Sequence, residues 1–203
     1  MKYIIDSSEV EYQPNSVSQV LCNKLGITSQ IDMNEAEEVL LFKIYDKVFE
    51  DFGFSSLVFQ DICNWHRQWL GSIYEWAGAL RGVNMSKGGF PFAAASNIPK
   101  LVDNFEKDFL ARFPEISQFD NNALVSFLAK SHVEFILIHP FREGNGRISR
   151  LLMDVIATEA GKEPLNYSLF DEHKEFYFKS IQAGVAGDYL HLERLIKDTL
   201  LID

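Results

Sequence analysis

The chain has 203 residues, of which 47% are hydrophobic, and this is enough for one compact domain to bury a core without disulfides. Lys and Arg number 19 against 29 Asp and Glu, so the formal net charge is −10. Nucleic acids and anionic membranes are bound through positive charge, and the acidity therefore argues against both as partners.

The ends and the cysteines of the sequence point to a reduced compartment. No apolar run approaches the roughly 20 residues that a transmembrane helix needs. Asp6 follows the N-terminal residues too closely for the apolar region of a signal peptide. The two cysteines, Cys22 and Cys63, have no metal-ligand spacing and are too few for a disulfide framework. The sequence therefore predicts a cytoplasmic protein.

Hydrophobic periodicity predicts a mostly helical chain. A D-x-x-E capping pattern at Asp32 and Glu35 opens the first helix, and Gly53 ends it. Ser56 is the predicted cap of the second helix, and Pro114 stops the third. The predicted helices cover residues 32–52, 56–76, 97–113, 122–138, 148–160, 171–183 and 188–201.

The helical period is interrupted over residues 81–93. Apolar residues alternate on both sides of Gly88-Gly89, which predicts a short β-hairpin. Pro91 would confine the second strand to a sheet edge, because proline has no N–H to donate. About seven helices and one hairpin make the predicted class all-α.

No internal repeat or low-complexity run divides the chain. Residues 1–30 are polar and weakly periodic, so we expect an N-terminal extension and leading helix over 1–50. This part is either regulatory or a cover for apolar surface. Residues 51–203 hold the other helices and the candidate chemistry, and form the predicted main domain.

The segment His139-Pro-Phe-Arg-Glu-Gly-Asn-Gly-Arg147 concentrates the chemistry of the chain. Pro140 disfavours helical angles at His139, so the preceding helix is expected to end there. Gly144 and Gly146 let the backbone approach a ligand closely. The next helix begins just after them, and the free N–H groups and positive dipole of such a start favour an anion.

Charged side chains of this segment point to phosphate chemistry. Arg142, Arg147 and Arg150 carry guanidinium groups that suit phosphate oxygens, and Glu143 among them is a natural ligand for Mg²⁺. His139 is positioned to act as a general base. The residues therefore predict phosphoryl or nucleotidyl transfer. A plain capped connection between two helices is the alternative, and the combination of so many such residues counts against it.

The pattern H-P-F-R-E-G-N-G-R-x-x-R resembles the signature of the Fic family of protein AMP-transferases at every position. Further similar stretches lie at residues 73–78 leading to Arg81, at 83–90 and at 187–193. The resemblance covers about residues 55–195, which is most of the chain.

The resemblance implies a Fic-type helical bundle of about seven or more helices with a hairpin called the flap, which takes the target by strand addition. It implies transfer of AMP from ATP to a Ser, Thr or Tyr hydroxyl of a target protein, with release of pyrophosphate. His139 would be the base, Phe141 would anchor the loop and Glu143 would ligate Mg²⁺. The other implied roles are an anion hole for Gly144, Asn145 and Gly146, nucleotide binding for Arg142, Arg147 and Arg150, and contact with the target for Lys87, Gly88, Gly89 and Phe90.

The sequence departs from the family in the motif that inhibits the enzyme. Many members carry an inhibitory glutamate in the pattern S/T-x-x-x-E-G/N, which pairs with the second arginine, here Arg150. No clean match exists in this chain. Three interpretations stay open: Glu35 or Glu37 of the N-terminal helix supplies the group, an antitoxin-like partner supplies it, or the enzyme is unrestrained. The N-terminal glutamates are slightly favoured.

Other functions remain as alternatives. One is a Fic transferase that uses another nucleotide or a phosphate donor, and another is a nucleotide-binding module of the toxin–antitoxin type with little turnover. A DNA-binding regulator is disfavoured because no basic recognition helix is present. Outside the motif, His132 is expected in the core, and His66, His173 and His191 at the surface or partly buried. The oligomeric state stays open.

Overall fold

The computed structural model describes residues 11–50 and 52–200. These residues form eight α-helices and one two-stranded antiparallel sheet, so the all-α class is confirmed. The helices are α1 (Gln30–Glu50), α2 (Phe59–Leu70), α3 (Ile98–Asp108), α4 (Asn121–Ile138), α5 (Asn145–Glu159), α6 (Ser168–Glu172), α7 (Lys174–Ala183) and α8 (Leu190–Thr199). The strands are β1 (Ser86–Lys87) and β2 (Phe90–Pro91), and 3₁₀ turns cover Ala95–Asn97, Leu110–Gln118 and Gly184–Ala186.

Helix α4 lies at the centre of the bundle. It contacts α3, α5, α7 and α8, and both α4 and α5 are buried along most of their length. Helix α1 packs on α2, which in turn contacts α5. The loop that joins α4 to α5 is therefore held at both ends by buried helices. No helix in the described part of the chain is long and apolar enough to span a bilayer.

The helix starts differ from the predicted caps. Helix α1 begins at Gln30, before the proposed capping pair, and the Ser29 hydroxyl accepts from the Asp32 N–H at 3.4 Å. In α2 the cap position is Val58 rather than Ser56, and the Asp61 carboxylate accepts from the Val58 N–H at 3.0 Å. In α2 the Asp61 side chain, rather than Ser56, pairs with the main chain at the helix start, so the cap lies two residues later than predicted.

Two predicted helices also end elsewhere. Helix α2 stops at Leu70, yet Ile73 and Trp76 are buried in the following turns, so these turns reproduce the helical spacing of apolar residues. Helix α3 stops at Asp108 and the chain continues in 3₁₀ form past Pro114. The prediction that Pro114 ends the helix was wrong, because the helix type changes before the proline.

Candidate active site

The α4–α5 loop has a fixed shape. His139 adopts a left-handed conformation with φ 50°, and Gly144 does so at the start of α5 with φ 79°. The buried Asn145 side chain closes the loop: its oxygen accepts from the Phe141 N–H at 2.8 Å, and its nitrogen donates to the Phe141 carbonyl at 2.7 Å. Phe141 is fully buried beneath. The Asn145 amide is thus used within the loop, and only its main chain is left for an anion hole.

The two glycines of the loop serve different needs. A Cβ on Gly144 would lie 2.6 Å from the Trp69 ring, so a side chain fits there neither in space nor in backbone conformation. A Cβ on Gly146 would meet nothing within 4 Å. Gly144 therefore lets the loop pack on α2, while Gly146 lies at the open side of the loop.

A cleft of about 380 Å³ lies over this loop, between the flap and helices α4 to α7. The motif residues that line it are His139, Glu143, Gly144, Gly146, Arg147 and Arg150. Arg142 instead lines a neighbouring cavity of about 280 Å³, beside Glu37 and Tyr74, which shares Glu143 and Arg147 with the cleft. The structure thus brings four of the predicted nucleotide-binding residues to the cleft, but neither Arg142 nor Asn145 lines it.

The cleft is positively charged although the chain is acidic. Lys87, Arg147, Arg150 and Lys174 line it, against the carboxylates of Glu143 and Asp171. Four cations and two anions leave an excess of positive charge in a partly enclosed space. Such a site concentrates anionic ligands.

His139 has the geometry of a base. Its ring stacks on Phe92, with centroids 3.7 Å apart, and its Nδ1 lies 3.3 Å from the Ile136 carbonyl. A carbonyl can only accept, so Nδ1 carries the proton and Nε2 has the free lone pair. Burial, together with the charges of Arg81 and Lys87, lowers the pKa of His139 to about 3. The imidazole is therefore neutral at physiological pH.

Arg81 ties the loop to the flap. This side chain is 2% exposed, and it donates to the carbonyls of His139 at 2.6 Å and Ala93 at 2.7 Å, and also to that of Val83. Its own N–H donates to the Pro140 carbonyl at 2.8 Å. Carbonyl dipoles compensate the buried charge, and the bond to the His139 carbonyl holds the guanidinium against the main chain of the base.

Of the two candidate inhibitory glutamates, the structure brings only Glu37 to the loop. Glu37 is 4% exposed, and its Oε2 lies 2.6 Å from Arg147 Nη2, while Glu35 is exposed on the outer side of α1. Tyr74 donates to the other carboxylate oxygen at 2.7 Å. The Arg147 guanidinium also lies over the Trp69 ring and 3.5 Å from Glu143.

The expected pairing of the glutamate with Arg150 was wrong, because Glu37 pairs with Arg147. Helix α1 reaches the loop from the side of α2, where Arg147 lies, and Arg150 faces α6 one turn further along. Arg150 donates from both terminal nitrogens to Asp171, at 2.8 and 3.2 Å, and its guanidinium lies 4.8 Å from the centre of the Tyr167 ring. This contact with Arg150 lowers the pKa of Asp171.

A buried carboxyl supports this end of the site. Asp154 accepts from the hydroxyls of Tyr45 and Tyr167 at 2.9 and 2.8 Å and from the Leu165 N–H at 2.9 Å. Burial raises the pKa of Asp154 to about 6 despite these bonds. The group joins α1, α5 and the segment before α6, and sequence patterns alone did not reveal it.

The hairpin of the flap forms at the predicted position, as the two-stranded sheet β1–β2. Ser86 pairs with Pro91 and Lys87 with Phe90, and both glycines of the turn have positive φ. The Lys87 ammonium lies 4.3 Å above the Phe178 ring and lines the cleft, while Phe90 does not line it. Phe92, just after the flap, is the aromatic residue that reaches the site, and it is not among the residues predicted there.

Of the four histidines outside the motif, His66 and His132 are buried, and His173 and His191 are exposed. His132 is buried in α4 with Nε2 2.7 Å from the Tyr177 hydroxyl, as expected of a core residue, and His173 and His191 are exposed. His66, predicted at or near the surface, is fully buried behind the loop. Helix α2 turns it inward because its neighbours at helical spacing, Ile62 and Trp69, face the core.

Metal ligands are sparse in this region. Within residues 11–50 and 52–200 there is no group of three or more His, Cys, Asp or Glu side chains that would hold an ion. Glu143 is the carboxylate of the motif that lines the cleft, and its side chain is 44% exposed. One exposed carboxylate fits Mg²⁺, which is commonly held by one or two carboxylates together with phosphate oxygens.

Comparison with known proteins agrees with this geometry. The family model of the Fic/DOC family matches residues 56–157. The protein adenylyltransferase Fic of Nematostella vectensis is 31% identical over 134 residues, which are 66% of this chain and 30% of that protein. The probable protein adenylyltransferase Fic of Escherichia coli (strain K12) is also 31% identical over 134 residues, 64% of this chain and 63% of that protein. The match thus spans less than two thirds of either relative.

A further relative is matched over more of its own length, and solved structures share the fold. The probable protein adenylyltransferase y4lH of Sinorhizobium fredii is 30% identical over 151 residues, 72% of this chain and 74% of that protein. The BepC protein of Bartonella tribocorum, solved with bound AMPPNP, superposes with a TM-score of 0.77 at 20% identity and covers 93% of this chain and 94% of that one. The chain belongs to the Fic/DOC family.

Proposed function

We propose that the protein transfers AMP from ATP to a hydroxyl group of a target protein and releases pyrophosphate. The observation that carries this proposal is the cleft, in which a neutral imidazole with a free Nε2 faces the same space as two arginines and the start of a helix. Relatives named protein adenylyltransferases support it.

The base in this reaction is His139. Its Nε2 would take the proton from a Ser, Thr or Tyr hydroxyl as the hydroxyl oxygen attacks the α-phosphorus, and the bond to the pyrophosphate oxygen breaks. A hydroxyl is a weak nucleophile, so a base that stays unprotonated at neutral pH is needed. Stacking on Phe92 and the bond from Nδ1 to Ile136 hold the ring for this task.

Negative charge on the phosphates would be balanced by the start of α5 and by Arg147 and Arg150. N–H groups at a helix start are already oriented when charge develops, and the two guanidinium groups would add to them once they leave Glu37 and Asp171. Such electrostatic stabilisation is usually the largest catalytic term. Glu143 would hold Mg²⁺ together with phosphate oxygens. When bound, the ion would supply further positive charge at the phosphates.

The flap would receive the target protein. Its two strands are short and exposed, and an extended segment can pair with such an edge through main-chain hydrogen bonds. Lys87 and Phe90 with the turn at Gly88-Gly89 would then contact the segment. Lys87 also lines the cleft, so it would lie between target and nucleotide.

Restraint of the enzyme would come from its own N-terminal part, residues 1–50. Glu37 is held by Tyr74 and occupies Arg147, which the phosphates would need. Removal of this contact would free the guanidinium for ATP. An antitoxin-like partner and an unrestrained enzyme are the alternatives to this proposal.

A labelling reaction tests the function. The protein is incubated with Mg²⁺ and α-³²P-ATP in cell lysate, beside γ-³²P-ATP and the His139→Ala variant. Label from the α-phosphate alone, lost in the variant, supports AMP transfer. Label from the γ-phosphate would favour phosphate transfer. If neither donor labels, the same test with Glu37→Gln and with other nucleotides separates restraint and donor choice from a binding module with little turnover.

A further inference from the structure

His66 contacts the motif loop from behind, and its two ring nitrogens have different partners. Nδ1 lies 2.8 Å from the Gly78 main-chain nitrogen, and Nε2 lies 3.0 Å from the Glu143 carbonyl oxygen. The Gly78 N–H can only donate, so Nδ1 accepts and Nε2 carries the proton. Both neighbours are main-chain groups, and together they determine which nitrogen is protonated.

The ring also packs on the loop itself. His66 stacks on Phe141 with centroids 4.0 Å apart and an interplanar angle of 11°. His66 is fully buried, and burial lowers its pKa to about 4, so it is neutral in the folded protein. It therefore touches the loop at two points, the Phe141 ring and the Glu143 carbonyl, one on each side of Arg142.

Gly78, which donates its N–H to His66 Nδ1, lies in a tightly packed turn. Gly78 has φ +80°, and a Cβ there would lie 2.7 Å from Arg67 Cβ and 2.8 Å from the Cys63 carbonyl. The turn after α2 therefore packs so closely on that helix that only glycine fits at position 78. His66 bridges this fixed turn to the loop, and the loop cannot move at Glu143 without breaking the bridge.

We propose that His66 is a positioning residue, whose Nε2–H bond to the Glu143 carbonyl sets the place of the Glu143 side chain and of the first N–H groups of α5 in the cleft. The proposal rests on the proposed function, in which the Glu143 side chain and these N–H groups act on the nucleotide phosphates. It distinguishes His66 from a core residue that only fills space. A displacement of about 1 Å at such a site can cost on the order of 100-fold in rate.

Two variants of similar size separate the two hydrogen bonds. In His66→Gln the amide nitrogen reaches the place of Nε2 and can donate to Glu143. In His66→Asn the amide oxygen takes the place of Nδ1 and can accept from Gly78, but nothing reaches Glu143. Both lose the ring that stacks on Phe141, so each is the control for the packing loss of the other.

The first readout is hydrogen exchange of the amides of residues 143–146 without nucleotide. We expect exchange near the wild-type rate in the Gln variant and about tenfold or more faster in the Asn variant. The second readout is the steady-state rate of AMP transfer, with kcat near wild type for Gln and lowered about tenfold to 100-fold for Asn. Thermal unfolding of the two variants should show similar losses.

Equal exchange and equal kcat in the two variants would overturn the proposal and leave His66 as a packing residue. If the Gln variant behaved worse than the Asn variant, the bond to Gly78 would be the important one, and the proposal would also fall. Hydrogen exchange does not depend on the reaction. A protein that transfers no AMP even as the Glu37→Gln variant would therefore overturn the proposed function, while the exchange result still decides the role of His66.

Discussion

Glu37 of α1 and Arg147 of α5 form an ion pair of 2.6 Å at the boundary between the cleft and its neighbouring cavity. The carboxylate is buried, and the Tyr74 hydroxyl and the Trp69 indole hold this residue in place at its side chain and its carbonyl. The pair therefore links the N-terminal helix directly to the motif. It makes the state of α1 relevant to nucleotide binding.

Glu37→Gln should raise the initial rate of AMP transfer by about tenfold, since coupling of this kind is typically worth 1–3 kcal/mol. The amide keeps the size of the side chain and releases the charge on Arg147. The measurement is incorporation of label from α-³²P-ATP. Glu35→Gln, on the exposed side of the same helix, is the control and should leave the rate unchanged. Equal rates in both variants would end the proposal of restraint by α1.

Asp171→Asn should lower the KM for ATP by about threefold, because a partly exposed ion pair contributes up to about 1 kcal/mol. Asp171 uses both terminal nitrogens of Arg150, and a bound phosphate would need the same nitrogens. Glu172→Gln, exposed in the same short helix, is the control. A KM that rises in the Asn variant would show that Asp171 orients Arg150 rather than competing for it.

Phe92→Leu should lower kcat by about tenfold and leave the unfolding temperature almost unchanged. Phe92 stacks on the His139 ring and is only partly buried, so its loss frees the base more than it harms the core. Phe90→Leu, in the flap but outside the cleft, is the comparison, and its loss should change the KM for the target rather than kcat. A similar loss in both variants would assign the effect to the flap as a whole.

Acid should weaken the folded state. Burial lowers the pKa of His66 to about 4 and the pKa values of His132 and His139 to about 3, so these imidazoles take up protons on unfolding between about pH 4 and 6. Asp154 acts in the opposite sense, because its raised pKa of about 6 means that it gives up a proton on unfolding. Burial also raises the pKa of Glu134, which acts in the same sense as Asp154. Three imidazoles against two carboxyl groups leave the unfolded chain with more protons, and stability therefore falls as pH falls.

Urea unfolding at pH 7 and pH 5 tests this prediction. We expect a clearly lower midpoint at pH 5 with an unchanged slope. His132→Asn removes one proton uptake outside the motif loop and should reduce the difference between the two midpoints. Equal midpoints in the wild-type protein would mean that the three imidazoles are not neutral when buried.

The sequence anticipated the features that depend on neighbouring residues. The apolar run before His139 became α4, Gly88-Gly89 became the hairpin turn, and the nine motif residues became one loop at a helix start. Periodicity, positive φ at glycine and the angles before proline are local effects, and the residues themselves carry them.

The mistakes lie where packing overrides local pattern. Ile73 and Trp76 keep helical spacing but lie in turns, because burial rather than helix continuation places them. His66 was assigned to the surface because histidine is polar, although Ile62 and Trp69 place it on the buried face of α2. Its position follows from the partners that Gly78 and Glu143 supply from distant parts of the chain.

The sequence by itself determined the helical class, the flap and the chemistry of the motif, because each is written in contiguous residues. Only the tertiary structure decided that Glu37 rather than Glu35 meets the site, that its partner is Arg147, and that Asp171 holds Arg150. Glu37 and Arg147 lie on helices far apart in the chain, and Arg150 and Asp171 lie on two consecutive helices. Which charge meets which depends on how the helices pack, and spacing along the sequence does not contain that information.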